Sequence, residues 1–453
     1  MAAIRTQRHE PDALGGRLRD HVHVLTRRRW AGLVTTVVAL IVVGVATLVP
    51  VTPSPEQHSA WCVTCGSLWL ADALVNVVLF VPAGVGLGLL GRRIPPAVVA
   101  LALVSVTIEV FQAWGVVGRD SSLRDVITNA LGGAIGVALV RHWRTWIFPD
   151  ARRASQLAVA AAVSWASTLG MTSVLAHPSV LPGPYWGQRG DDRFGASVVR
   201  VAVNDVPIPL GPLSKPRPVL AALNSRDARI DVAISPASPP EGIGPIARLS
   251  NPHTEAFRFG RRGADVIFGV RLRSADARLR SPAVRLRAAL SDGARASNVV
   301  NAITPDTIHL RGSVSSGILR LERLAPAGTS RSLTLSPTVG WAFLTPIGIT
   351  TRVAPWVLSG LWVVVLCFPI GYWTASAQPS GARWWIPALV AGIVVGALTL
   401  PPLVAATPWP RWWDSCFVVA GLLGGVLAAT LLGSRPSRVT RRAPDPTAAS
   451  TRR

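Results

Sequence analysis

The chain carries little charge, and almost none of it is lysine. Of 453 residues only 15% are Asp, Glu, Lys or Arg, Lys215 is the single lysine, and 23 acidic side chains stand against 46 basic ones. A soluble domain carries about 25% charged residues, so that class is excluded. The formal charge of +23 would suit a nucleic-acid binder. The arginines, however, are scattered through loops between apolar runs, and no nucleic-acid partner is expected.

Cysteine is scarce as well, and four residues exclude a disulfide-built secreted scaffold. Cys367 and Cys416 fall inside apolar runs, where a thiol packs as a small hydrophobe. Cys62 and Cys65 form a C-x-x-C in a polar stretch and are a candidate disulfide if that stretch leaves the cytosol. A zinc site needs about four ligands and only His58 lies near them, so no metal is expected. The chain also lacks a Ser-His-Asp set, an H-E-x-x-H and a Gly-rich nucleotide loop in a suitable context. Any cofactor, and whether the protein is an enzyme, stay open.

What the chain has is apolar length. It is 49% hydrophobic with a mean hydropathy of +0.39, and its long apolar runs approach the ~20 residues that cross a bilayer. Runs at Trp30 to Pro50, three between Leu68 and Arg141, one near Ser155 to Ala176, and others at Ala354 to Trp373, Trp385 to Val404 and Trp412 to Leu432 make eight expected spans. The long polar leader before Trp30 favours an uncleaved first helix over a signal peptide. Short cytoplasmic loops collect Arg. The N-terminal segment, Arg92-Arg93, the Arg141 to Arg153 loop and the tail after Arg435 fall on one side of an eight-span chain. Both termini are therefore expected in the cytoplasm, and residues 178–350 outside it.

The stretch from Leu68 to Arg141 is not uniformly apolar. Asp72 and Asn76 lie four apart, Glu109 and Gln112 three apart, and Asp125 and Asn129 four apart, so each pair shares a helix face. An ionisable group inside a membrane costs roughly 2.5 kcal/mol or more unless partnered or hydrated. Spans two, three and four bring all three pairs to the non-cytoplasmic leaflet, under a loop holding Arg119, Asp120 and Arg124. The expected result is a polar cavity open to that side. In it Glu109 and Asp125 are the candidate acid-base residues, and Arg119 and Arg124 anchor a phosphate or carboxylate. Asp72, Asn76, Gln112 and Asn129 would orient a head group. The competing expectation is that these groups only pair with one another and fix the bundle. Spans two and four also share D-x-x-x-N followed by glycines, Gly84 and Gly88 against Gly132 and Gly136. Such pairs let backbones approach closely and hint at internal pseudo-symmetry.

These residues carry a family resemblance. CVTCG, DALVNVVLFVPAG, IEVFQAW and then GR followed by RDVITNALGGAIG occur in the order and spacing of the VanZ-like family of bacterial membrane proteins. The motif positions are Asp72, Asn76, Phe80, Pro82, Gly84, Glu109, Gln112, Arg119, Asp125, Asn129 and Gly132. The resemblance implies a bacterial cytoplasmic-membrane protein and a link to teicoplanin resistance, while the bare family has neither a long insert nor three further spans.

The insert reads differently. ASVVRVAV, ARIDVAIS, EAFRFG, ADVIFGVRLR, TIHLRGSV and GILRLERL alternate with period two between turn residues, the pattern of an all-β sandwich. Phe257 and Phe259, a Gly260 to Gly263 turn, then Phe268, Val270 and Leu272 form one expected hairpin. The segment from ARLSNPHTEAFRFG to VRLR is similar to laminin-G or concanavalin-like jelly rolls, which implies glycan binding, sometimes with calcium. The acidic residues for calcium are limited to Asp191 and Asp192. Between Pro178 and Gly340, 22 Lys and Arg face 12 Asp and Glu, which favours an anionic neighbour such as lipid head groups or teichoic-type polymers.

The fold class is thus an α-helical polytopic membrane protein with an inserted β-sandwich. Its divisions are a basic segment 1–29, a five-helix VanZ-like domain 30–177, the sandwich 178–350, three helices 351–434 and a basic disordered tail 435–453. The expected function is recognition or modification of an anionic lipid or lipid-linked wall precursor. A glycan-binding envelope scaffold and a proton-coupled transporter are the alternatives.

Overall fold

The computed structural model describes residues 12–48, 63–64, 66–116, 121–180, 185–189, 197–225, 227–235, 243–252, 254–291, 307–325, 328–345, 353–377 and 385–433. Cys62, Cys65, Arg119, Asp120, Asp191, Asp192 and the C-terminal tail lie outside them.

Eight helices among the described residues are long and apolar enough to cross a membrane. They are α1 (Asp12–Leu48, spanning from Thr26), α2 (Trp69–Leu89), α3 (Ile94–Gly115), α4 (Leu123–Arg141), α6 (Ala151–Leu175), α9 (Pro355–Ser376), α10 (Trp385–Ala405) and α11 (Trp412–Gly433). The short α5 (Trp143–Ile147) follows α4. Large apolar side chains such as Leu103, Leu361 and Leu427 point outward on these helices, as lipid-facing surfaces require. Sequence and structure differ at the first helix, which begins at Asp12 inside the expected polar leader.

The spans form two bundles. In one, α1 packs on α2, and α2 and α3 both pack on α4, around Ala39, Val43, Phe80, Ala83, Leu101 and Ile108. In the other, α6 packs with α9 and α10, and α9 with α11, around Trp165, Leu169, Val363, Ile370 and Val394. The fifth span, grouped on sequence with the first four, therefore belongs with the last three. Small residues on α6, Ala158 and Ala162, face that second core. The bundles meet at α5, where Trp373 Nε1 donates to the Trp146 carbonyl at 2.8 Å and the Tyr372 hydroxyl donates to the Ile147 carbonyl.

Glycine sets how closely α2 and α4 approach. A Cβ on Gly132 would sit 2.2 Å from the Val77 carbonyl oxygen, one on Gly136 2.2 Å from that of Val81, and one on Gly84 2.2 Å from that of Gly133. Residue numbers rise together along both helices, so the two run parallel with backbones in direct contact. The paired glycine motifs thus do what their spacing suggested. Helix α2 runs without interruption through Pro82, whose ring is exposed.

Between α6 and α9 lies a sandwich of two six-stranded antiparallel sheets. The first has the order β4-β1-β6-β7-β8-β9, from strands Gly211–Pro212, Gly187–Arg189, Ile243–Ser250, Glu255–Arg262, Asp265–Val270 and Ala283–Leu286. The second has the order β12-β11-β10-β5-β2-β3, from Thr329–Thr334, Ile318–Ala325, Ile308–Ser315, Asp227–Ser235, Ser197–Val203 and Val206–Pro207. Each of the six expected strands is present. The hairpin also forms, with Phe259 opposite Phe268 and Phe257 opposite Val270. Its turn is tighter than expected, because Gly260 stays in β7 and the reversal is at Gly263, whose φ of +58° suits glycine. The strands absent from the sequence reading are β1, β3, β4, β9 and β12, of two to six residues each, and the longer β6, where Gly244 and Pro245 disguise the alternation. Proline is accommodated there at a register shift between Pro245 and Ala247.

One arginine fastens the sandwich to the first bundle. Arg280 donates to Asp72 Oδ1 at 2.5 Å from one guanidinium nitrogen and to the Leu344 carbonyl at 3.2 Å from Nε, while its backbone N–H donates to the Phe343 carbonyl. The Ala71 N–H reaches the Arg278 carbonyl beside it. The start of α2, the sandwich and the buried 3-10 turn Pro337–Phe343 are thereby tied at one point.

Candidate functional site

Along α3 the buried stripe is Ala97, Leu101, Ser105, Ile108, Glu109 and Gln112. It changes from apolar to polar toward the sandwich side. Helix α4 answers it with Asn129, and the two helices meet through side chains that would otherwise be stranded in hydrocarbon.

Glu109 is 8% exposed, and its Oε2 accepts the backbone N–H of Ser122 at 2.7 Å. Ser122 is the N-cap of α4, and its own hydroxyl caps nothing. The spacing Ser122-x-x-Asp125 is that of a capping box, but the carboxylate on the N-cap amide comes from the neighbouring helix. Negative charge at a helix N-terminus is favoured by the macrodipole, so Glu109 joins the end of α3 to the start of α4. Asp125 turns to its neighbour instead, accepting from Arg124 Nε at 3.0 Å.

Gln112, 6% exposed, donates from Nε2 to the Thr47 carbonyl at 2.9 Å, supplying one of the last carbonyls of α1 that its own helix cannot bond. Asn129 is 3% exposed and donates from Nδ2 to Ser105 Oγ at 2.8 Å. Its Oδ1 is buried with no hydrogen-bond partner among the described residues. A buried acceptor left unpaired costs about 1–3 kcal/mol.

The pair on α2 behaves differently from the expectation. Asp72 faces the insert and is held by Arg280, so its carboxylate does not join the cluster: the sandwich supplies a cationic partner at the helix end. Asn76 is half-buried and makes no hydrogen bond among the described residues. The polar cluster is therefore built by α3 and α4 with the end of α1: Ser105, Glu109, Gln112, Ser122, Arg124, Asp125 and Asn129.

Residues 29–146 match the VanZ/LLP1 family model. This part of the chain is a VanZ-like domain. The match takes in α1 from Arg29, α2 to α4, most of α5 and the whole polar cluster, and it ends before α6, which agrees with the packing. No curated protein and no solved structure matches the chain.

Two polar positions were not anticipated. Ser105 sits four residues before Glu109 and so on its face, a signal present in the sequence. Asp414, in the first turn of α11, is a second buried carboxylate. Its Oδ2 accepts from Thr338 Oγ1 and from the Arg411 N–H, each at 3.0 Å, where the insert returns to the membrane. Its sequence signal was an acid directly before an apolar run.

The VanZ-like domain gives a graded prediction at Glu109. Glu109→Ala strands the Ser122 N–H and is expected to lower stability by roughly 1–3 kcal/mol. Glu109→Gln keeps an acceptor oxygen and should lose less. Apparent melting temperatures of the two variants in the same detergent, measured against wild type, check the order.

Proposed function

We propose that the VanZ-like domain recognises the head group of a cell-envelope lipid, an anionic lipid or a lipid-linked wall precursor, from the sandwich side of the membrane. The observation that carries the reading is the orphaned Asn129 Oδ1, on a side chain bonded to Ser105, which lies one helical turn from Glu109, and itself one turn along α4 from Asp125 and its partner Arg124. A buried acceptor without a donor is satisfied by a ligand hydroxyl or amine, and Arg124 adds a group suited to a phosphate or carboxylate.

Depth supports the reading. Trp114, two residues past Gln112, is 89% exposed, and tryptophan marks the head-group level of a bilayer. The cluster residues Glu109 and Gln112 precede Trp114 by less than two turns on the same helix. The positive-inside pattern of the loops supports taking this side as the outer one, where wall precursors are used.

The role is recognition rather than an assigned reaction. A second reading, a non-catalytic envelope scaffold, is favoured by Glu109 and Gln112 spending hydrogen bonds on the protein itself. Complementation separates the two. In a deletion strain, Asn129→Leu and Arg124→Gln variants made at wild-type levels are expected to fail to restore envelope phenotypes, including teicoplanin susceptibility. Full restoration by both would refute head-group recognition and leave the scaffold.

A further inference from the structure

One cross-strand row in each sheet treats charge in the opposite way to the other. In the second sheet one cross-strand row runs Asp231, Arg311, Glu322, acid against base against acid, and Arg311 Nε donates to Asp231 Oδ1 at 2.6 Å. Arg229 there pairs with both Asp205 and Asp231. In the first sheet the corresponding row runs Arg189, Arg248, Arg258, Gly269, Ala283 across β1, β6, β7, β8 and β9. Like charges directly opposite one another destabilise a sheet. Three consecutive arginines therefore need a compensating anion, and the chain offers only part of one. Arg258 is bonded by Glu255 at 3.0 and 2.5 Å, while Arg189 and Arg248 have no carboxylate partner among the described residues.

A cleft of about 490 Å³ lies over this row. Arg189, Arg248, Arg258, Arg271 and Arg278 line it, with Glu255 the single acid among the described lining residues, and Arg271 is held by Asp276 at 2.6 Å. Gly269 and Ala283, the small residues ending the row, leave its floor open. Polar atoms of the lining residues are left unpaired. Arg248 Nε is buried without a hydrogen-bond partner among the described residues, and so is Ser250 Oγ, whose residue is 5% exposed. The rim includes Ser67 and Leu68 at the start of α2, so the cleft opens beside the membrane end of the VanZ-like domain.

We propose that this cleft is a binding site for a phosphate or diphosphate group. Guanidinium groups match phosphate oxygens bidentately, and strand neighbours put successive arginine Cβ atoms ~5 Å apart, within reach of one multi-oxygen anion. The contrast lies in register: Arg311 in the second sheet has an acid on each side, whereas Arg248 in the first has an arginine on each side. The site is separate from the Asn129 cluster and stands or falls independently of it.

Isothermal titration of the full-length protein in maltoside detergent, with inorganic pyrophosphate at fixed ionic strength, tests the proposal. Wild type is expected to bind at one site. Arg248→Gln and Arg189→Gln should each weaken binding at least tenfold, with Arg229→Gln on the other sheet unchanged. Both cleft variants should also melt higher than wild type without anion, since each relieves the row, and this shows that they fold. No binding to wild type, equal weakening by Arg229→Gln, or equal binding of citrate would overturn the proposal. Repeating the titration in nanodiscs identifies the natural source. Weaker pyrophosphate binding in phosphatidylglycerol than in phosphatidylcholine assigns the phosphate to a lipid head group, and equal binding assigns it to a soluble envelope component.

Discussion

Gly136→Leu is expected to disrupt the VanZ-like domain. The first side-chain carbon would sit 2.2 Å from the Val81 carbonyl oxygen and 2.6 Å from the Val85 nitrogen. Both are backbone atoms, so no rotamer change makes room and α4 must move away from α2. Overpacking of this kind costs roughly 3 kcal/mol or more. The displacement would carry Asn129, two turns before Gly136, off Ser105. The control is Gly44→Leu in α1, where an added Cβ meets nothing within 4 Å. A large fall in apparent melting temperature for Gly136→Leu, with little change for Gly44→Leu, is the expected result. Equal behaviour of the two would mean that α2 and α4 are not in backbone contact.

Arg280→Ala is expected to loosen the sandwich from the helices. It deletes the bond to Asp72 and the bond to the Leu344 carbonyl. The Asp72 side chain is 39% exposed, so water screens part of the attraction, and the loss is set at roughly 1–2 kcal/mol. Hydrogen exchange should quicken at the start of α2 and around residues 337–345, while the interior strands β7 and β10 stay protected. Exchanging the charges, with Asp72→Arg and Arg280→Asp together, should restore part of the protection that either change removes. If Arg280→Ala leaves exchange at both places unchanged, the joint is held by other contacts.

The helical and strand elements were legible because their signals are local. Apolar length marks a span wherever the helix ends, and alternation marks β2, β5, β7, β8, β10 and β11 without knowledge of their partners. Strand β6 escaped because Pro245 breaks the pattern at the very bulge that accommodates it. The grouping of α6 with α9 to α11 was illegible for another reason, since nothing in its own residues names a partner almost two hundred positions away. The same holds for the site. Periodicity put Glu109 with Gln112 and Asp125 with Asn129, and Ser105 could have been added to the first pair. That Asp72 would face an arginine of the insert depends on how two domains dock. The arginine row likewise emerges only from strand register, because Arg189, Arg248 and Arg258 have no regular spacing along the chain.

Head-group recognition by the VanZ-like domain is tested most directly by mass spectrometry of the lipids that co-purify with the full-length protein in mild detergent. Wild type is to be compared with Asn129→Leu and Arg124→Gln. Recognition predicts one lipid species, bearing a phosphate or carboxylate and a hydroxyl or amine, enriched over the membrane average in wild type and lost in both variants. The same unselective lipid in all three proteins would contradict it and assign the polar cluster to holding α1, α3 and α4 together.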